Sequence, residues 1–234
     1  MAETVFITGA ARGLGLALTT RFLDAGCRVF AGARTHSALS ALLEAFPAAL
    51  SFVPLDVTDM ASIRACVEQV AAQTASLDVL VNNAGVNLEQ GRAALDQLDL
   101  ADGHLEESMS VNVFGPLRLI QQFHPLLARG ERKLILNISS ESGSITDCDR
   151  DREFAYCMSK AALNMQTKLL HNALSPQGFE VLTIHPGWIR TDMGGPQAWL
   201  SPEESAEAVF QLAQAARRPN DSIYLDFRGK ALNW

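Results

Sequence analysis

A chain of 234 residues with 48% hydrophobic and 19% charged residues can bury a substantial core, and this balance excludes a disordered or low-complexity protein. A formal net charge of −7, with no run of basic residues, excludes a general nucleic-acid binder, which needs a basic face. No apolar stretch reaches membrane-spanning length, Met1-Ala2-Glu3 shows no basic leader, and Cys27, Cys66, Cys148 and Cys157 have neither CxxC spacing nor a secreted framework. The expectation is one cytoplasmic domain over residues 1–234 with free thiols and without nucleic-acid or membrane partners.

From the N-terminus, a β-rich run, Thr4 to Thr8, breaks into Gly9-Ala10-Ala11-Arg12-Gly13-Leu14-Gly15 and then a helical stretch, Leu16 to Ala25. Glycines between a first strand and a first helix let the backbone turn tightly and approach a pyrophosphate, which the free N–H groups of a helix N-terminus attract. The next strand, Arg28 to Gly32, ends in Ala33-Arg34. An acidic residue at that place would bind a ribose 2′-hydroxyl, whereas an arginine accommodates a 2′-phosphate. With the acid missing, Arg34 and Arg12 are read as a cationic clamp that favours NADP(H) over NAD(H), the alternative being two solvated surface arginines.

Helical and strand patterns then alternate: a helix near Ser37 to Ala45, a strand Ser51 to Leu55, a helix Met60 to Gln73 and a strand Asp78 to Val81. The alternation predicts an α/β fold, a doubly wound parallel sheet of about seven strands with ligands at the strands' carboxyl ends. There Asp56-Val57 follows the third strand and Asn82-Asn83-Ala84-Gly85 the fourth. Asp56 is placed to accept from an adenine amino group, and the Ala84-Gly85 pair admits a flat ring or ribose. The alternative for Asp56 and Thr58 is a helix start at Asp59.

A long helical pattern, Leu105 to Leu127, contains Asn112 and Gly115-Pro116, where a kink or a missing hydrogen bond is expected. The fifth strand, Lys133 to Ile138, delivers Ser139-Ser140-Glu141-Ser142-Gly143, and Tyr156 and Lys160 open the helix Tyr156 to Ala173. Residues four apart share a helix face, so phenol and ammonium point into one site. Lowering a phenol from ~10 to about 7 takes roughly 4 kcal/mol of preferential phenolate stabilisation, which positive charge from lysine or an oxidised nicotinamide supplies. The segment from Ser144 to Ala155 carries Asp, Cys and Glu residues, but its interleaved arginines favour an internally paired, solvated loop over a metal site. Cys157 is read as packing. A sixth strand, Glu180 to His185, leads into Pro186-Gly187-Trp188-Ile189-Arg190-Thr191, with His185 read as a strand-end residue and Met193, Trp199 and Leu200 as a short apolar lid before a helix near Pro202.

Thr8-Gly9-x-x-x-Gly13-x-Gly15, Asp56-Val57, Asn82-Asn83-Ala84-Gly85, Asn112, Ser140-x-x-Gly143, Tyr156-x-x-x-Lys160 and Pro186-Gly187-x-x-x-Thr191 together resemble the short-chain dehydrogenase/reductases, in that family's order and over essentially the whole chain. The segment from His185 to Gly195 and the ending Tyr224 to Trp234 are most similar to its sniffer-type carbonyl reductase and bacterial C-factor branch. The resemblance implies a tetrad in which Tyr156 transfers the proton, Ser140 hydrogen-bonds the substrate oxygen, Lys160 holds the nicotinamide ribose and lowers the tyrosine, and Asn112 positions a water. It implies cofactor contacts at Thr8, Gly9, Arg12, Gly13, Leu14 and Gly15, at Arg34, Asp56 and Val57, and at Asn83, Ala84 and Gly85. Further contacts come from Tyr156, Lys160, Pro186 and Gly187, and from Ile189 and Thr191, which would hold the carboxamide. It also implies reversible reduction of a small-molecule carbonyl to its alcohol. The long helices Leu105 to Leu127 and Tyr156 to Ala173 would form a homodimer or homotetramer interface, or pack only on their own sheet. The other reading, carried by the C-factor likeness, is a dinucleotide-binding signalling protein with little turnover. The Ser144 to Ala155 segment is a few residues longer than the common family form.

Overall fold

The computed structural model describes residues 2–89, 94–215 and 221–234; Met1, at the head of the expected leaderless N-terminus, lies outside them. Seven strands, β1 (Thr4–Thr8), β2 (Arg28–Ala33), β3 (Leu50–Pro54), β4 (Val79–Asn82), β5 (Leu134–Ile138), β6 (Glu180–His185) and β7 (Tyr224–Asp226), form one sheet in the order β3-β2-β1-β4-β5-β6-β7. Every neighbouring pair is parallel. The strand order reverses direction between β1 and β4, and the crevice above that switch point is where such sheets bind ligands. The expected architecture and all the expected strands are present.

Alternation along the strands divides the core into two layers. Val5, Ile7, Val29, Val81 and Leu136 face α1 (Gly13–Asp24) and α7 (Pro202–Gln214), whose Leu18, Phe22, Val209 and Phe210 complete one cluster. Phe6, Phe30, Leu80 and Ile135 face the other way, onto α3 (Met60–Ala71) and α5 (Gly115–Leu127) through Ile63, Val70, Leu119 and Phe123. The expected helix near Ser37 to Ala45 is a tight turn, Ser37–Leu39, followed by a single short helix, α2 (Ser40–Ala45). No helix among the described residues is long and apolar enough to cross a membrane.

The pattern from Leu105 to Leu127 resolves into α4 (His104–Met109) and α5, joined by a wider helical turn over Ser110–Phe114 in which the Gly115 N–H reaches back to the Ser110 carbonyl. The cause is local. Pro116 stands four residues after Asn112 and has no N–H, so the Asn112 carbonyl cannot receive its regular helical bond, and the turn leading into the proline closes through the longer Gly115–Ser110 ring. α6 (Phe154–Leu174) follows β5.

Helix starts differ in how they are closed. Asp59 caps α3, its carboxylate accepting from Ala61 N at 2.9 Å and Ser62 N at 3.2 Å. Ser201 and Glu204 close α7 reciprocally as a capping box. Asp59→Ala is expected to destabilise the fold by about 1 kcal/mol; an unchanged urea midpoint would show that the α3 cap contributes nothing.

Candidate active site

The expected site segments all leave the carboxyl edge of the sheet, beyond β1 through β6. The glycine turn lies between β1 and α1. A Cβ on Gly15 would fall 2.1 Å from the Gly9 carbonyl oxygen, so only glycine lets the helix start fold back against the strand end. α1 begins at Gly13, a turn ahead of the expected start, and its cap residue Arg12 provides no side-chain acceptor for the first N–H groups. In contrast with α3 and α7, that N-terminus is left open, as an anion site requires. Leu14 is buried in the core, so only its backbone belongs to this turn. Thr8 Oγ1 accepts from the backbone of Asn83 and Ala84, both at 2.9 Å, and Asn83 Nδ2 donates to the Thr8 carbonyl at 2.9 Å. These residues lock the ends of β1 and β4 together.

Arg34 is exposed at the end of β2, and its charge is felt at Asp56. The Asp56 carboxyl is held below its ordinary value mainly by the Thr58 hydroxyl and N–H, at 2.6 and 2.9 Å, so this carboxylate organises its own turn while Asp59 caps the helix. Val57 is buried against Gly115. Arg12 pairs with Asp192 at 3.1 Å, both side chains being largely exposed. The post-β6 loop thus meets the glycine turn, and Thr191 also lies over Gly13. The Pro186 carbonyl accepts from buried Ser205 at 2.7 Å, anchoring that loop to α7. A Cβ on Gly187 would come 2.3 Å from Leu200. Leu200 is therefore core beneath the loop rather than part of a lid, and its backbone pairs with Trp188 and Arg190. Ile189 is buried, and its carbonyl accepts from Thr191 N at 2.9 Å. Met193 and Trp199 remain exposed.

Tyr156 occupies the first turn of α6 and Lys160 the next. Lys160 is buried and its Nζ donates to the Ile138 carbonyl at 2.9 Å, lying 5.6 Å from the Tyr156 ring centroid. Ser140, just beyond β5, has its side chain near enough to the Tyr156 phenol to draw its pKa down. Asn112 projects from the widened turn. Its Oδ1 accepts from Val86 N at 2.8 Å, and its Nδ2 donates to the Val86 carbonyl and to Ser159 Oγ, both at 2.9 Å. Ser159 in turn donates to the Tyr156 carbonyl at 2.8 Å. The four expected residues are therefore brought together, with Asn112 clamping the post-β4 loop to the start of α6.

Burial raises the Tyr156 phenol above its ordinary value, the Ser140 side chain draws it down, and the charges of Glu141 and Glu153 push it up again. Lys160, 5.6 Å from the ring, is not among the groups that shift the phenol, and burial draws its own ammonium down to about 8. The protein's own groups thus leave the phenol protonated near neutral pH, and the expected lowering by lysine is not seen among them.

A family profile described as short chain dehydrogenase matches residues 3–199. The chain belongs to the short-chain dehydrogenase/reductase family. The C-signal protein of Myxococcus xanthus is 34% identical over 161 residues, covering 69% of this chain and 95% of that protein. The solved carbonyl reductase Sniffer of D. melanogaster superposes with a TM-score of 0.92 at 28% identity, covering 100% of both chains. An NADPH-bound carbonyl reductase from chicken fatty liver gives 0.90 at 32% identity, covering 100% of this chain and 99% of that one. Within the family, this dehydrogenase/reductase is therefore of the sniffer and C-factor type.

Several residues that hold this short-chain dehydrogenase/reductase site together were not expected. Glu141 pairs with Arg150 at 2.7 Å, and Arg150 also bonds Glu153 at the start of α6. The arginines of the long loop are thus paired, one of them with a carboxylate outside the loop. Glu153 takes left-handed backbone angles, φ 60 and ψ 46. Buried Glu89 closes the helix start in its place, accepting from Tyr156 N at 3.2 Å. Tyr224 OH donates to the Ser140 carbonyl at 2.6 Å, and Thr146 N and Oγ1 donate to the Trp234 carbonyl at 2.9 and 2.7 Å. Asn164 accepts from Ser139 at 2.8 Å and donates to the Gly143 carbonyl at 3.1 Å, and it alone of these had a local signal, standing one turn after Lys160 on the same helix stripe. Cys157 is a thiol pushed up to about 11, chiefly by burial, and among the described residues no group of three His, Cys, Asp or Glu side chains is placed to hold a metal.

The buried lysine has a measurable consequence. Its unfolded value is near ~10.4, so between about 8 and that value the unfolded chain holds the proton that the folded chain has released, and stability rises with pH. Relative to Lys160→Met, the wild type should gain about 2 kcal/mol of urea stability between about pH 7.5 and about pH 9.5. A flat or falling difference would show that Lys160 is not desolvated.

Proposed function

We propose that this chain reduces a carbonyl with NADP(H), reversibly, using Tyr156 as general acid and base. The observation that carries the reading is the convergence of the Tyr156 phenol, Ser140 and Lys160 beside a glycine turn whose helix start has no side-chain cap. That cradle would hold the cofactor, the open N-terminus of α1 taking its pyrophosphate, Ala84-Gly85 and the 186–191 loop admitting its rings, and Ile189 and Thr191 holding the carboxamide. When bound, the cofactor supplies the hydride.

The chain's own residues would do the rest. Tyr156, protonated by its surroundings, gives its proton to the substrate oxygen, and Ser140 donates a hydrogen bond to the same oxygen as charge develops there. Lys160, one turn behind, offers its remaining N–H bonds to the cofactor ribose. The Asn112 carbonyl, deprived of its regular helical donor by Pro116, is available to the water that links Lys160 to solvent. Arg34, with Arg12, favours a 2′-phosphate. The Arg12–Asp192 contact is exposed, and such pairs contribute only about 0–1 kcal/mol, so it does not hold Arg12 back. A cytoplasmic homodimer or homotetramer completes the reading, with exposed Leu117 on α5 and Met165 and Leu169 on α6, beside Phe114 of the widened turn, as the apolar faces available to pair. The NADPH-bound chicken enzyme and the Sniffer reductase support the cofactor and reaction class by likeness.

The test is NADPH and NADH oxidation against aldehydes, ketones and quinones. Tyr156→Phe should lower kcat by about 10²–10⁴-fold with NADPH binding retained; near-normal turnover would sink the assignment. Arg34→Ala should cost about 10–100-fold in kcat/KM for NADPH and little for NADH, as loss of a charge-assisted bond predicts. Equal losses with both cofactors would remove the 2′-phosphate role. Tight cofactor binding without tyrosine-dependent turnover would instead favour the signalling reading suggested by the likeness to C-signal.

A further inference from the structure

Glu141 and His185 stand beside the site without a part in the reaction so far. His185 ends β6 next to the end of β5, where Ile138 and Ile184 are in register. Glu141 Oε1 is 2.7 Å from Arg150. Its Oε2 is 2.9 Å from His185 Nδ1 and accepts from Ser140 Oγ at 3.2 Å. One carboxylate oxygen therefore serves both the histidine and the serine that faces the phenol.

A hydroxyl has a single proton. Ser140 Oγ already accepts from Ser142 N at 3.1 Å, and its proton can go to Glu141 Oε2, to Ser142 Oγ at 3.0 Å, to Tyr156 or to a substrate oxygen. The carboxylate, being charged, is the strongest of the protein acceptors. A carbonyl taking on negative charge needs that same proton turned toward itself. Tyr224 OH fixes the Ser140 carbonyl, so the serine backbone is held and the choice is made by rotation of the hydroxyl alone.

His185 bears on that choice. A bare Nδ1 lone pair 2.9 Å from a carboxylate oxygen would repel it, so Nδ1 carries a proton whether the ring is neutral or charged. The N–H line passes wide of Oε2, which makes the contact one of charge and dipole rather than a well-aligned hydrogen bond. Burial pushes the Glu141 carboxyl up, but His185 and Arg150 together overcome this and hold it at about 2. Its negative charge is already strongly compensated, and its pull on Ser140 is correspondingly weak.

We propose that His185 is a positioning residue: by occupying Glu141 Oε2 it releases the Ser140 hydroxyl proton toward the substrate oxygen. The inference rests on the carbonyl-reductase reading above. Removing the histidine N–H lets Glu141 recapture the serine proton, and removing the Glu141 charge makes the histidine irrelevant.

The experiment compares His185→Leu, His185→Asn, Glu141→Gln and the double variant His185→Leu/Glu141→Gln, with thermal melts and NADPH titrations on each. His185→Leu should lower kcat about tenfold while KM and NADPH affinity stay within about twofold, since the loss lies in an interaction made only in the transition state. His185→Asn, which keeps an N–H near the Nδ1 position, should recover most of it. The double variant should have the kcat of Glu141→Gln alone, a suppression that lost packing cannot produce. A double variant as slow as His185→Leu, a wild-type kcat in His185→Leu, or a loss confined to NADPH affinity would each overturn the proposal. If leucine at 185 does not fold, His185→Gln, whose amide sits off the Nδ1 position, replaces it in the same comparison with the same outcomes. Ser140→Ala in the same assay separates the two levels. No dependence on Ser140 overturns both the reductase reading and this inference, whereas dependence on Ser140 with no effect at His185 overturns the inference alone.

Discussion

Pairing of the polar side chains buried between α6 and the strand ends fixes everything else at this site. Asn137 on β5 accepts from Asn82 on β4 and donates to Thr167 on α6, each at 2.9 Å. Asn164 on α6 accepts from Ser139 at 2.8 Å and from Thr183 on β6 at 3.1 Å, and donates to the Gly143 carbonyl at 3.1 Å. Each group left unpaired would cost about 1–3 kcal/mol, so sliding α6 along the sheet would break several bonds at once. Tyr156, Lys160, Asn164 and Thr167 follow one another along a single stripe of the helix. Tyr156 and Lys160 and the residues that anchor the helix thus share one face, and the phenol's position is a consequence of the anchors.

The widened turn before α5 supplies the opposite wall by a different device. Pro116 removes a helical bond, and the free side chain of Asn112 spends all its donors and its acceptor on Val86 and Ser159. A local defect is thereby converted into a clamp between the post-β4 loop and the first turn of α6. Gly85 sits in the angle: a Cβ there would lie 3.3 Å from Asn112 Oδ1 and 3.6 Å from Lys160 Nζ. A side chain there would press on the amide and the ammonium, so the bare backbone of Gly85 leaves the angle between them open.

Much of this was legible in the chain because the signals are local. Strand alternation with helical stretches dictated the parallel sheet. Ser140 was chosen over Ser139 by the two-residue gap to Gly143 that the family likeness calls for, and the hydroxyls do separate, Ser139 to Asn164 and Ser140 to Glu141 and Ser142. Helix starts were less legible, since Gly13 and Phe154 open α1 and α6 without a side-chain cap of their own to announce them. Tyr224 reaches Ser140 across 84 residues and Glu89 reaches Tyr156 across 67. No periodicity encodes such contacts; they exist only once the sheet has closed.

The long loop between Gly143 and Phe154 shows what that closure adds. Its first part is tied to the Trp234 carbonyl through Thr146 and to Asn233 through Asp147 at 3.0 Å. Its second part is tied back to Glu141 by Arg150 and meets Ala94 through an antiparallel bridge at Arg152. Composition suggested a loop satisfied within itself, and the Arg152–Asp151 and Arg150–Glu153 pairs do lie inside it, but Arg150 also reaches out to Glu141. The other restraints come from the post-β4 segment, the end of β5 and the last residues of the chain. The wall beside Tyr156 is therefore held by segments far apart in sequence, whereas the stripe of α6 that fixes the phenol is anchored on β5 and β6. Placement of the phenol and shaping of the opening beside it thus fall mainly to different groups, the first to the buried anchors of α6 and the second to the loop's distant restraints.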